Sequence, residues 1–196
     1  MHTRMIRLLL PLSLALVPLA ACSGGGGNAA GANGSGSAAS PSAEKVAAVV
    51  AGDRELERLN RIVGNAGLVD LLNGVGPYTI FAPNNAALEA LGNGRADALA
   101  GEEMRPQAVA LLRAHIVPGT LTRRDLAAAL DVAGNRPVRM RTMAGTMLTF
   151  ARDGDAIAVS PDGGGRARLS GDEKVGANGA VQPVDGLLVS TNGASR

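Results

Sequence analysis

One cysteine, Cys22, is all the sequence offers. No intramolecular disulfide can therefore staple the molecule, and any fold must rest on a hydrophobic core. The residues ahead of Cys22 do not read as part of that core. His2, Arg4 and Arg7 make a short positive start, and Leu8 to Ala21 follow as an apolar run broken only by Pro11, Ser13 and Pro18. The small pair Ala20-Ala21 closes the run. A basic start, an apolar middle and a small-residue exit are the three parts of a secretory signal. A membrane-spanning anchor is the alternative, but such a span needs about 20 apolar residues and this run is shorter.

Taking the leading segment as a signal changes the charge. The formal net charge is +2, and Arg4 and Arg7 account for it. The rest is balanced between base and acid, which argues against a nucleic-acid partner. A nucleic-acid binder carries a basic stripe and, for single strands, stacking aromatics. This protein has two Phe, one Tyr and no Trp.

Ser23 to Ser42 reads SGGGGNAAGANGSGSAASPS, with no charge, no aromatic and no aliphatic side chain larger than Ala. It cannot bury enough surface to offset its ordering entropy. As a Gly/Ser coil its r.m.s. reach is about 25 Å. The expected division is therefore residues 1–22 as signal, 23–42 as flexible linker and 43–196 as one domain of ordinary size.

The first half of that domain reads helical. Leu56, Leu59, Ile62 and Val63 share one helical face, with Asp53 as a candidate N-cap. Tyr78 to Phe81 read as a strand ended by Pro83, and Asn84 can cap a helix carrying Leu88 and Leu91. Gln107 to His115 form another helix, and Thr122 with Asp125 makes a capping box for the next. The second half reads as strand: Val138–Met143, Met147–Ala151 and Ala156–Ser160, with an edge strand at Ala167–Ser170. Asn178-Gly179 is a hairpin signal before a final strand or strand pair over Ala180–Val189, in which Pro183 belongs at an edge or bulge. Helices first and strands later point to an α+β fold.

Leu19-Ala20-Ala21-Cys22 resembles the bacterial lipobox, in which the cysteine is acylated and becomes the mature N-terminus. The resemblance implies a lipid anchor on Cys22. Ser23, with no Asp after the cysteine, resembles the signal for onward transport to the outer membrane. Three further stretches, in order, resemble the fasciclin (FAS1) domain. Tyr78-Thr79-Ile80-Phe81-Ala82-Pro83-Asn84 is similar to its first box, and Leu111 to Gly119, around His115 and Pro118, to its central box. Ala177-Asn178-Gly179 through Asp185-Gly186-Leu187-Leu188 is similar to its closing box. The resemblance implies helices in the N-terminal half packed on a mainly antiparallel β-sandwich or wedge. It marks Thr79, Phe81, Pro83, Asn84, His115, Pro118, Asn178, Gly179 and Asp185 as motif or partner-contact residues. Two positions depart from the family pattern: Ala114 precedes the histidine where Tyr or Asn is frequent, and Gln182-Pro183 stands where His-Val is frequent.

His115 is the only histidine outside the signal. As a general base or metal ligand it lacks the second His or Cys that a site would use. On the Leu111/Leu112 face it reads instead as a core histidine that hydrogen-bonds backbone and fixes the adjoining strand. A Ser-His-Asp triad is recognised by geometry, and no G-x-S-x-G supports one here. Glu102-Glu103 diverge on a helix and read as a solvated first turn. Arg123-Arg124 beside the cap read as solvent-facing, and Arg139 with Arg141 share one strand face, either a plain charged face or a patch for an acidic glycan or partner. Gly163-Gly164-Gly165 lacks the Lys-Ser/Thr and helix of a phosphate loop.

The resulting expectation is a non-enzymatic binding or adhesion module, lipid-anchored in the bacterial envelope. Its partners would be the membrane through Cys22 and a surface protein, matrix polymer or glycan, with no nucleic acid, cofactor or metal. A carrier of an apolar pigment or lipid is the alternative, and a hydrolase using His115 the third reading.

Overall fold

A computed structural model describes residues 41–189. Cys22, the leading segment and the linker up to residue 40 lie outside them. Four helices begin the described region: α1 (Val46–Ala51), α2 (Glu57–Ala66), α3 (Val69–Leu72) and, after strand β1 (Tyr78–Pro83), α4 (Asn85–Glu89). Helices α5 (Arg95–Leu99) and α6 (Arg105–His115) follow, α6 running straight into β2 (Ile116–Pro118), and then α7 (Arg123–Val132). The rest is strand: β3 (Val138–Arg141), β4 (Met147–Asp153), β5 (Ala156–Pro161), β6 (Ala167–Arg168), β7 (Lys174–Gly176) and β8 (Gly179–Val184).

The strands form two four-stranded sheets, ordered β2-β1-β8-β7 and β3-β4-β5-β6. All pairs are antiparallel except β1 with β8, which run parallel from Tyr78 opposite Gly179 to Pro83 opposite Val184. The first sheet is the middle layer of three, and its alternation shows why its strands read as unbroken apolar runs. Ile80, Ala82, Ile116 and Val181 point to a core shared with α1, α2 and α6, through Val46, Leu59, Ile62 and Leu112. Phe81, Val117 and Val184 point the other way, to a second core with Leu126 and Leu130 of α7 and Leu148, Phe150 and Val159 of the second sheet. The only two phenylalanines meet across that gap, ring centroids 5.2 Å apart and planes tilted by 44°.

Local chemistry explains most boundaries. The expected face of Leu56, Leu59, Ile62 and Val63 is buried, and α2 ends at Gly67, whose φ of 68° is the left-handed cap a glycine adopts without strain. Asn84 Oδ1 accepts from the Ala87 amide to start α4, and Thr122 and Asp125 close the expected capping box at α7.

The final strand is shorter than expected, and Pro183 inside it keeps the edge position expected of it, because β7 has already ended on that flank. A residue's N–H and C=O point to the same side of a strand, and the Pro183 carbonyl accepts from the Ser170 amide at 2.8 Å. The missing donor therefore faces away from β1, on a side where β7 has already ended at Val181. The final strand stops at Val184, because Asp185 turns to accept from the Arg168 amide. Helices α1 and α5 and strand β7 carry no periodic signal in so few residues. Strand β7 is recognisable only from its partners: Ser42 donates to the Val175 carbonyl and Ala177 to that of Glu44, laying the first described residues along its edge.

Candidate functional site

The three motif stretches converge on the first sheet. His115 ends α6 and is completely buried. Its Nδ1 lies 2.8 Å from the Leu111 carbonyl, and its Nε2 lies 3.0 Å from the Leu188 amide. A carbonyl only accepts and an amide only donates, so Nδ1 carries the proton and Nε2 is bare: the ring is neutral. Burial penalises the cation and lowers the pKa from 6.5 to about 4, against a smaller upward pull from the Leu111 carbonyl. Both nitrogens are thus committed to backbone, and neither is free to take a substrate proton or a metal. The imidazole joins α6 to the segment after β8.

Asn178 performs the same service elsewhere. It is 8% exposed. Its Oδ1 accepts from the Val46 amide at 2.8 Å, and its Nδ2 donates to the carbonyls of Leu72 and Gly74, both at 2.8 Å. One side chain thereby ties the start of α1, the end of α3 and the β7–β8 turn. Beside it Gly179 runs so close to β1 that a Cβ would stand 1.9 Å from the Tyr78 carbonyl oxygen. Thr79, also fully buried, donates from Oγ1 to the Gly119 carbonyl at 2.7 Å and accepts from the Leu121 amide at 2.8 Å, fixing the turn after β2.

A fourth joint centres on Gln182, where the closing stretch departs from the family pattern. Gln182 is fully buried. It donates to the Leu121 carbonyl and to Glu173, while its Oε1 accepts from the Arg123 guanidinium. Glu173 also accepts from the Arg123 amide at 2.7 Å, which seats a carboxylate on the N-terminus of α7. Arg123 Nη2 reaches the Ser170 carbonyl at 2.6 Å. Arg123 is therefore half-buried and tied down, correcting its reading as solvent-facing; Arg124 is exposed as expected. The signal available was Gln182 amid an otherwise apolar strand: a buried amide needs partners.

The other marked residues divide by exposure. Phe81 and Pro83 are buried in β1, Asn84 is a half-buried cap, and Pro118 and Asp185 are exposed. Of the nine motif residues, only Asn84, Pro118 and Asp185 present surface; Thr79, Phe81, Pro83, His115, Asn178 and Gly179 are interior.

Glu102 and Glu103 lie exposed in the turn ahead of α6, and Arg139 and Arg141 share the outer face of β3, Arg139 paired with Asp162 at 2.5 Å. Among the described residues, no three His, Cys, Asp or Glu side chains converge to hold a metal, and no helix is long and apolar enough to cross a membrane. A cleft of about 270 Å³ lies between α1 and β7, lined by Ser42, Glu44, Val49, Glu173 and Lys174 among others. Its mixed charge differs from the apolar pocket that a pigment or lipid carrier requires.

The fasciclin domain model matches residues 54–190. A Synechocystis sp. protein, sll1483, is 30% identical over 151 residues, 77% of this chain and 76% of its own. Mouse Stabilin-1 is 32% identical over 76% of this chain, and pig transforming growth factor-beta-induced protein ig-h3 is 26% identical over 76%. This sequence spans only 5% and 20% of those two proteins. Among solved structures, the FAS1 domain pair of the insect cell adhesion molecule fasciclin I superposes with a TM-score of 0.64 at 15% identity, covering 76% of this chain and 52% of that one. With the fold shared, the span matched and the three motif stretches in order, this protein belongs to the fasciclin domain family.

Proposed function

We propose that this protein is a lipid-anchored binding or adhesion module of a bacterial envelope, which works by presenting surface and not by catalysis. The observation that carries the reading is the commitment of the motif polar groups: His115, Asn178 and Thr79 all spend their hydrogen bonds on holding distant segments together. Polar groups used in this way position a surface. Similarity to a structure titled as that of a cell adhesion molecule supports the same reading. Acylated Cys22 would bind the membrane and the glycine-rich linker would hold the domain off it, toward a surface protein, matrix polymer or glycan. Ser23 after the cysteine favours the outer membrane.

Fractionation and attachment measurements in the producing cell test this. The intact protein should be recovered with membranes and label with fatty acid, and Cys22→Ser should lose both. Deletion should weaken surface attachment or cell aggregation, wild type should restore it, and Cys22→Ser should not. Unchanged attachment, aggregation and envelope contacts after deletion would remove the reading.

A further inference from the structure

Three Asn-Gly pairs fall among the described residues, and the fold gives them different chemical fates: Asn73-Gly74, Asn93-Gly94 and Asn178-Gly179. An Asn-Gly pair is reactive because glycine has no Cβ to keep its amide nitrogen from the neighbouring side-chain carbonyl carbon. We propose that Asn93-Gly94 is a self-modification site, where the folded protein converts the Asn93 amide into an aspartyl or isoaspartyl carboxylate.

The geometry separates the three. At Asn178 the leaving nitrogen is held by two carbonyls, the oxygen accepts from the Val46 amide, and Gly179 is pressed against the Tyr78 backbone. None of these groups can rotate without opening the interior. At Asn73 the attacking nitrogen is engaged, because the Gly74 amide donates to the Leu71 carbonyl at 3.0 Å, and the Asn73 amide donates to that of Val69. Asn93-Gly94 has neither restraint. Gly92, Asn93, Gly94 and Arg95 all lie at the surface, Asn93 and Gly94 fully on its exposed side. Among the described residues, neither the Asn93 side chain nor the Gly94 amide has a hydrogen-bond partner. Gly92, Asn93 and Gly94 have φ of 66°, 50° and 67°, three left-handed residues in a row, and Asn93 has a Cβ that disfavours that region. A strained, exposed turn without side-chain anchors samples other backbone conformations more readily than the strand and helix ends that hold the other two pairs.

In the reaction, the Gly94 amide nitrogen bonds to Asn93 Cγ. The Cγ–Nδ2 bond breaks, and Nδ2 leaves as ammonia with the amide proton. The product is a five-membered succinimide. Water then opens it at one of two carbonyls. Breaking the bond from Cγ to the ring nitrogen leaves aspartate with the ordinary backbone. Breaking the bond from the backbone carbonyl carbon to that nitrogen leaves isoaspartate, with the backbone routed through Cβ and Cγ. No oxidant or cofactor takes part.

The consequence is local and electrostatic. The turn lines a cleft of about 140 Å³ with Arg58, Glu89, Arg95 and Asp97. There Arg58 already serves Glu89 at 3.2 Å and Asp97 at 3.1 Å, and Arg61 serves Asp97 at 2.9 Å. A new carboxylate at position 93 adds a competitor for these guanidinium groups. The isoaspartyl form also inserts a carbon into the turn that Arg95 closes by donating to the Gly92 carbonyl at 3.0 Å, which loosens the entry to α5.

The test is residue-resolved mass spectrometry of the intact folded protein held at mildly alkaline pH, with fragmentation that separates aspartate from isoaspartate. The expected result is a gain of about one dalton at residue 93, while Asn73 and Asn178 keep their amides. In urea all three pairs should convert at similar rates. Asn93→Gln, whose longer side chain would need a six-membered ring, should remain unmodified with the same melting temperature. Retention of the Asn93 amide in the folded protein, or conversion of Asn73 or Asn178 at the same rate, overturns the proposal.

Discussion

The two sheets are built from the same number of strands by opposite means. The second sheet is sequential: β3, β4, β5 and β6 follow one another in sequence and in space. Its ion pairs lie at the surface, as between Arg139 and Asp162. The first sheet gathers strands from both ends of the domain, pairing Tyr78 with Gly179 and Lys174 with Val181. Its distant segments are joined by buried polar side chains. Closing long loops costs more entropy than closing a hairpin, and a buried polar group is costly unless it is fully paired. The first sheet therefore depends on a few irreplaceable contacts, and the second on many ordinary ones. Five of the nine residues that mark the family sit in strands of the first sheet, and the other four at the ends of elements that adjoin it.

Substitutions can break this contrast, and the largest effect belongs to Gly179. Any side chain there meets the Tyr78 carbonyl, so Gly179→Ala should lose at least about 4 kcal/mol and much of its folded population, read by urea denaturation and circular dichroism. Next, Asn178→Ala removes three hydrogen bonds at once, two of them buried; about 3 kcal/mol is expected, at roughly 1 kcal/mol per bond. A midpoint close to wild type would show that the three segments hold without it.

Acidification should come third. Above pH 6.5 the imidazole is neutral in both the folded and the unfolded state, and its contribution is complete. Between 6.5 and about 4 the unfolded state takes up a proton that the folded state refuses. The unfolded state then binds more protons, so stability falls as pH falls, by up to about 3 kcal/mol from this group, and levels off below the folded pKa. Denaturation midpoints from pH 7 to 4 measure this, and His115→Gln should remove that part of the slope. In the second half of the molecule, Thr122→Ala should cost only about 1 kcal/mol for its helix cap, and Arg139→Ala under about 0.5 kcal/mol, its partner being solvent-exposed. A second-sheet surface change as costly as Asn178→Ala would erase the contrast.

The same difference governs what can be read without coordinates. The second sheet is legible because its signals are local: β3 and the start of β4 alternate in burial, and each strand pairs with the next one in the chain. The caps at Asn84 and Thr122 are legible for the same reason. The pairing of β1 with β8 is not, because register between residues about a hundred apart leaves no local mark. His115 is readable as a core histidine from its place on an apolar face, although its partner Leu188 lies 73 residues away. The motif residues are readable as a set but not as interior or exterior, so Thr79 and Asn178 stand only as motif or partner-contact residues until burial places them inside. The joint of Gln182 with Glu173 and Arg123 escapes because their spacing follows no period; only the fold brings them together.

The histidine of the central motif is a joint in the fold, with no free nitrogen for chemistry. A nuclear magnetic resonance titration of the His115 imidazole tests that directly, with His115→Gln used to assign the signal. The expected outcome is a neutral ring protonated on Nδ1 across the physiological range, with a pKa near the value of about 4 set by its burial. A pKa at or above 6.5, or a ring protonated on Nε2, would contradict it.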